Sequence, residues 1–143
     1  MVRKYLRIAL PTATLFLLAG CSSGGSSSTA GVSTAYFLDS AVVGASYATA
    51  TQSGVTGAGG AFTYISGETV TFKIGNATIG SISSIPSDGK VLPSDIAGVA
   101  RGVTTTAVSN IAQFLQSLDD DGDPNNGINI SSSVRNAITT TLS

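Results

Sequence analysis

Four of the eight carboxylates in this 143-residue chain fall within five positions: Asp119, Asp120, Asp121 and Asp123. Asp119, Asp121 and Asp123 stand at i, i+2 and i+4, the spacing by which a tight loop turns alternate oxygens inward. Asn125 and Asn126 follow with amide and backbone oxygens. Hard oxygen donors at this density suit Ca²⁺, which takes about six to eight of them. The run lies just past a predicted helix C-terminus, where the macrodipole is already negative, and no basic residue is near it in sequence. A cation would offset both costs. Counted as an EF-hand loop from Asp119, however, Pro124 replaces the glycine at the sharp turn and Ile130 replaces the closing glutamate. Any site is therefore of a looser, aspartate-rich kind. DGDP and NNG are also good turn sequences in their own right. Two readings stand: a Ca²⁺ site using Asp119, Asp121, Asp123 and Asn125, or a plain solvated turn.

Other chemistry is scarce. The chain has no histidine and a single cysteine, Cys21, which removes histidine-based catalysis, internal disulfides and cysteine-histidine zinc clusters. Asp39 and Glu68 are the nearest approach to a glycosidase-like carboxylate pair, but both sit in turn sequences and are expected to be solvent-exposed. Gly57, Gly59 and Gly60 lack the Lys-Ser/Thr and the following helix of a phosphate loop. The sequons at Asn76 and Asn129 are read as chance matches. Tyr36, Tyr47, Phe62, Tyr64 and Phe72 are expected in the core and in cross-strand pairs rather than on a sugar-binding platform. With a formal charge of −1, the surface offers nothing to collect nucleic-acid phosphates. The expectation is a non-enzymatic protein.

The first residues, MVRKYLRIALPTATLFLLAG, explain the lone cysteine. Arg3, Lys4 and Arg7 form a basic front, and Ile8–Ala19 is an apolar run of 12 residues interrupted by Pro11. That is too short for a spanning helix, which needs about 20 residues, and it has the layout of a secretory signal. Leu18-Ala19-Gly20-Cys21 resembles the lipobox of bacterial lipoproteins. The resemblance implies a diacylglycerol thioether on Cys21, cleavage before it, and an N-acyl chain (palmitate-like) on the new terminus. One acyl chain holds a protein only marginally, whereas two or more anchor it lastingly. Ser22 and Ser23 after the cysteine imply sorting to the outer membrane of a Gram-negative envelope. Without residues 1–20 the charge becomes 4 − 8 = −4, the four bases being Lys73, Lys90, Arg101 and Arg135.

Residues 21–31, CSSGGSSSTAG, make a Ser/Gly tether spanning roughly 16–19 Å as a flexible coil. From residue 32 to residue 85 the pattern is β. Runs at Thr34–Leu38, Val42–Thr51, Ala61–Ile65, Thr69–Ile74 and Ala77–Ile82 alternate and are separated by turns, with Ser53–Gly60 read wholly as turn. From residue 94 to 143 the pattern is helical. Pro93-Ser94-Asp95 opens one turn with Ser94 as its cap. Ala107, Val108, Ile111, Leu115 and Leu118 share a face over Thr105–Leu118, and a last helix capped by Ser131 or Ser132 carries Val134, Ala137, Ile138 and Leu142. The expected domain, residues 32–143, is α+β: an antiparallel β meander or small sandwich, then two amphipathic helices lying on it.

The segment from Asp39 to Gly80, with its glycine-and-aromatic pattern between Val43 and Gly75, resembles modules of large proteobacterial surface proteins. Residues 110–130 look like the helix and acidic loop that follow there, so the likeness extends over 39–130. The first half is also similar to carboxypeptidase-regulatory-like β modules. Both resemblances imply an extracytoplasmic interaction or adhesion module, meeting an envelope protein, an extracellular protein or a glycan. The alternatives are an accessory domain of a secreted hydrolase or carbohydrate-binding system, or the N-terminal piece of a larger surface protein.

Overall fold

The computed structural model describes residues 30–139. The signal segment, Cys21, most of the tether and Leu142 lie outside the described residues. Among the described residues, nine strands, three helices and two 3-10 turns make a mixed α+β architecture whose strands lie mostly in the N-terminal part. The strands are β1 (Val32–Phe37), β2 (Val42–Val43), β3 (Ser46–Ala48), β4 (Ser53–Val55), β5 (Ala61–Ile65), β6 (Val70–Ile74), β7 (Ala77–Ile82), β8 (Lys90–Val91) and β9 (Ile128–Asn129). The helices are α1 (Pro93–Ile96), α2 (Thr106–Ser117) and α3 (Ser132–Ala137).

Three sheets form, in the orders β5-β1-β8, β4-β3-β6-β7 and β2-β9. The pairings within residues 32–85 are antiparallel, and two parallel pairings, β1 with β8 and β2 with β9, add short strands from beyond that region. Both run to strands of only two residues, too short for alternation to reveal them. The two larger sheets share one apolar cluster. Phe72 of β6 stacks on Phe37 of β1 with ring centroids 4.6 Å apart, and meets Phe62 of β5 edge-on at 5.1 Å. Offset and edge-on contacts suit the aromatic quadrupole. Tyr47 and Phe62 are also buried and pack together, whereas Tyr36, expected inside, is 43% exposed on the outer side of β1.

The stretch 42–51 is not one strand. Gly44 takes φ +92° and breaks it into β2 and β3, and a side chain there would run into the Ile130 carbonyl. Only glycine permits both the turn and the approach. The break is closed by Thr56, whose buried hydroxyl donates to the Val42 carbonyl at 2.6 Å and accepts from the Ala45 N–H at 3.0 Å. Ser53–Gly60 therefore contains strand β4 and a buried clamp, where composition alone reads as turn.

In the helical half, Thr105 caps α2 by accepting from the Val108 N–H, and Leu115 is buried against the sheets. Ile111, Phe114 and Leu118 are half-buried around it. Ala107, expected on that face, is exposed. Ser94 does not cap α1: it is itself buried, and Asp95 Oδ2 accepts the Leu92 N–H instead. α1 seats on β7 at Gly80, where a β-carbon would meet Ile96. α3 is capped by Ser131; Val134 and, just past its end, Ile138 pack half-buried against the apolar cluster, while Ala137, expected on the same face, is exposed. Arg135 fastens it, donating to the Gly44 and Ile130 carbonyls at 3.1 and 2.6 Å.

Candidate functional site

The acidic loop connects α2 to β9. Its closure is set by the strand that follows: the Asp120 N–H donates to the Asn129 carbonyl at 3.0 Å, and the Asn129 N–H returns a bond to Asp119 Oδ1 at 2.9 Å. β9 is in turn held on β2, so Asp119 is positioned by the sheet and not only by the loop. The other oxygen, Asp119 Oδ2, is buried with no hydrogen-bonding partner. An orphaned carboxylate oxygen is costly away from water unless a donor or cation meets it.

Asp121 Oδ1 accepts the Asp123 N–H at 2.9 Å, and Asp121 Oδ2 accepts from the Asn126 side-chain amide at 2.8 Å. The Asn126 amide foremost, then the Asp123 N–H, hold the Asp121 carboxyl below the usual carboxylate range. Asp123 Oδ1 is taken up by the backbone and side-chain amides of Asn125, at 3.1 and 2.7 Å. Of the four residues expected to share a cation, Asp119 and Asp121 are thus brought together while Asp123 and Asn125 face each other. Among the described residues no three acidic, histidine or cysteine side chains are grouped so as to hold a metal. A cation at this loop would meet Asp119 Oδ2 first, since both Asp121 oxygens already accept N–H donors. Asp123 could join through Oδ2, which carries no hydrogen bond among the described residues, while Asn125 is held on Asp123 Oδ1 by its amides.

Beside the loop lies an open cleft of about 250 Å³, lined by Ala41, Val43, Gly59, Asn126, Gly127 and the β9 backbone. Nothing in the sequence pattern announces it. It exists because β2 and β9 pair in parallel and bring residues 41–43 against 126–129.

Asp39, Glu68, Asp88, Asp95 and Arg101 are committed elsewhere. Asp39 accepts from Gln116 of α2 at 2.9 Å, and Glu68 accepts from Thr49 and Thr51 at 2.5 and 3.0 Å. The Thr49 hydroxyl chiefly, with Thr51, holds the Glu68 carboxyl low. Each carboxylate thus serves as a local anchor. Arg101 gathers Asp88, Asp95 and the Lys90 carbonyl into one clasp, with its shortest contacts at 2.6 Å to Asp88 and to Lys90. Its guanidinium, ahead of the Lys90 N–H, lowers the Asp88 carboxyl. Asn76 donates from its backbone and side chain to the Ile138 and Thr139 carbonyls, so its amide is used to dock the chain after α3. No helix among the described residues is long and apolar enough to cross a membrane. No family model, curated protein or solved structure matches this chain.

Proposed function

We propose that this chain is a lipid-anchored protein of the bacterial outer membrane, presenting a small non-catalytic interaction or adhesion module on a flexible Ser/Gly tether. The observation that carries this reading is the head of the sequence: three basic residues, a 12-residue apolar run, and Leu-Ala-Gly before the chain's one cysteine. A thiol in that position is accounted for as a lipid attachment site, with diacylglycerol on sulfur and an acyl chain on the amine. The tether lifts a domain whose two larger sheets are read as a small sandwich, and whose charge of −4 keeps it off anionic lipid. The acidic loop is read as a Ca²⁺-stabilised element. Support comes from Asp119 Oδ2, the buried oxygen without a partner, next to an Asp121 carboxylate held in its charged form. The partner is an envelope protein, an extracellular protein or a glycan.

The deciding experiment is intact-mass and peptide mass spectrometry of the protein isolated from its native membrane. The expected species begins at Cys21 and carries two lipid groups, and Cys21→Ala leaves the membrane fraction. A free sulfhydryl at Cys21, or a retained Met1, overturns the proposal. A second reading, an accessory domain of a hydrolase or carbohydrate-binding system, is favoured by the amide-rimmed cleft between β2 and β9. Saturable binding of a glycan that is lost in Asn126→Ala, with the lipid anchor intact, selects it.

A further inference from the structure

Most sheet edges of this fold are closed by their own surroundings. On β8, Asp88 accepts the Lys90 N–H, Arg101 donates to the Lys90 carbonyl, and Asp95 accepts the Leu92 N–H. On β9, Asp119 accepts the Asn129 N–H and Asp120 donates to its carbonyl. On β2 the Thr56 hydroxyl takes the Val42 carbonyl, and β7 carries α1 at Gly80. The ends of β5 are tied down by Gly57 and Glu68, which donate to the Ala61 and Ile65 carbonyls. β1 is open beside β8 only before Tyr36, whose N–H donates to Gly89. Such covering keeps unpaired backbone from templating another strand.

β4 has no such cover. Tyr47 pairs with Gly54 between the bonded pairs Thr49–Gln52 and Ala45–Thr56, so the N–H and C=O groups of Ser53 and Val55 point away from β3. Among the described residues no backbone hydrogen bond reaches them from elsewhere. β5 comes alongside through the Tyr47–Thr63 hydroxyl contact but adds no rung to the ladder. Ser53, Gly54 and Val55 are all exposed, and Val55 keeps 46% of its surface in water. Residues 40–67 contain no Asp, Glu, Lys or Arg, in a chain of net negative charge.

We propose that the open edge of β4 docks a second copy of this chain, strand against strand and antiparallel, across a two-fold axis at Gly54. That register sets Ser53 of each copy opposite Val55 of the other. Each of the two pairs exchanges two N–H···O=C bonds, using all the outward groups of both strands. Gly54 meets its own counterpart at the position where paired backbones run closest, about 4.5 Å between α-carbons. A two-fold contact needs a patch that complements itself, and this one does. The uncharged stretch is also where two negatively charged copies can approach without repulsion. The nearest charge, Glu68, is held by Thr49 and Thr51 at the turn end of β4, so the two copies' Glu68 carboxylates lie at opposite ends of the joint. Three residues make a short ladder, so the dimer is weak and forms with rising concentration.

The test mixes full-length Ser53→Cys and Val55→Cys chains in detergent solution under mild oxidation, and maps the linked peptides by mass spectrometry. Residues opposed in a bonded pair sit about 5.5 Å apart, within disulfide reach, whereas like positions fall outside it. The 53–55 link in the mixture is therefore expected several-fold above the 53–53 and 55–55 links that each variant forms alone. Sedimentation of the wild type is expected to show a dimer that grows with concentration. Val55→Pro removes an N–H that only the dimer uses, at an edge position where proline is tolerated, and is expected to abolish that dimer. Equal frequencies of the three links, a monomer at every concentration, or wild-type dimerisation of Val55→Pro each overturn the proposal. Linkage of the new thiols to a different polypeptide in place of the 53–55 link gives the edge to another partner and overturns it too.

Discussion

The junction at Gly44 and Thr56 and the loop at residues 119–126 solve the same problem with opposite materials. Each folds the backbone sharply and satisfies it with side-chain oxygens. At the junction the oxygen is a neutral hydroxyl, only 2% exposed and used as both donor and acceptor. In the loop the oxygens are carboxylates, mostly exposed, and one of them, Asp119 Oδ2, is left over. A hydroxyl can close its own account in the interior because it carries a proton to give. A carboxylate only accepts, so a cluster of them needs donors from outside its own kind. The neutral junction is a finished piece of fold, while the charged loop has capacity to spare.

Breaking the junction should have the largest effect. Thr56→Val keeps the shape but strands the Val42 carbonyl and the Ala45 N–H, and is expected to cost about 2–3 kcal/mol in denaturant unfolding. Thr56→Ser keeps the hydroxyl and should cost much less. Equal losses in the two variants would mean that the methyl group, not the clamp, matters. Next comes the loop's spare capacity. Millimolar Ca²⁺ should raise the thermal midpoint of the wild type by a few degrees relative to chelator, by preferential binding to the folded chain. That rise should vanish in Asp121→Ala and be unchanged in Thr56→Ser. Identical melts with Ca²⁺ and chelator would reduce the loop to a turn.

Acid should give the smallest and most graded effect. The carboxyls of Asp121, Glu68 and Asp88 are held low in the folded chain, by Asn126, Thr49 and Arg101 respectively. The unfolded chain then binds protons first as pH falls, so stability is full above the ordinary carboxylate range and is lost as pH drops through the lowered folded values. Asp88 and Asp121 are exposed and Glu68 is half-buried, so salt screens the effect. A midpoint that declines gently with acid fits, and one that rises would contradict the hydrogen bonds described.

Legibility in the sequence divides along the same line. Ala61–Ile65 and Ala77–Ile82 form as read, and Thr69–Ile74 is one residue short, because alternation over five or six residues is a local signal. α2 forms within a residue of its predicted ends because Thr105 caps it and its apolar positions recur every three or four residues. Ser53–Val55 was hidden because serine and glycine carry no β signal; its place as an edge strand comes from β3. The carboxylate cluster was visible from spacing. Which oxygens converge was not, since the amides of Asn125 and Asn126 choose their partners in three dimensions.

The fastening of α3 to the first β segments also has a temporal meaning. Arg135 reaches carbonyls that include Gly44, 91 positions earlier, and β2 pairs with β9. Loop closure over such separations is slow, and it delays the nucleus of a fold built on it. The second strand can therefore pair only once residues 128 and 129 have been made.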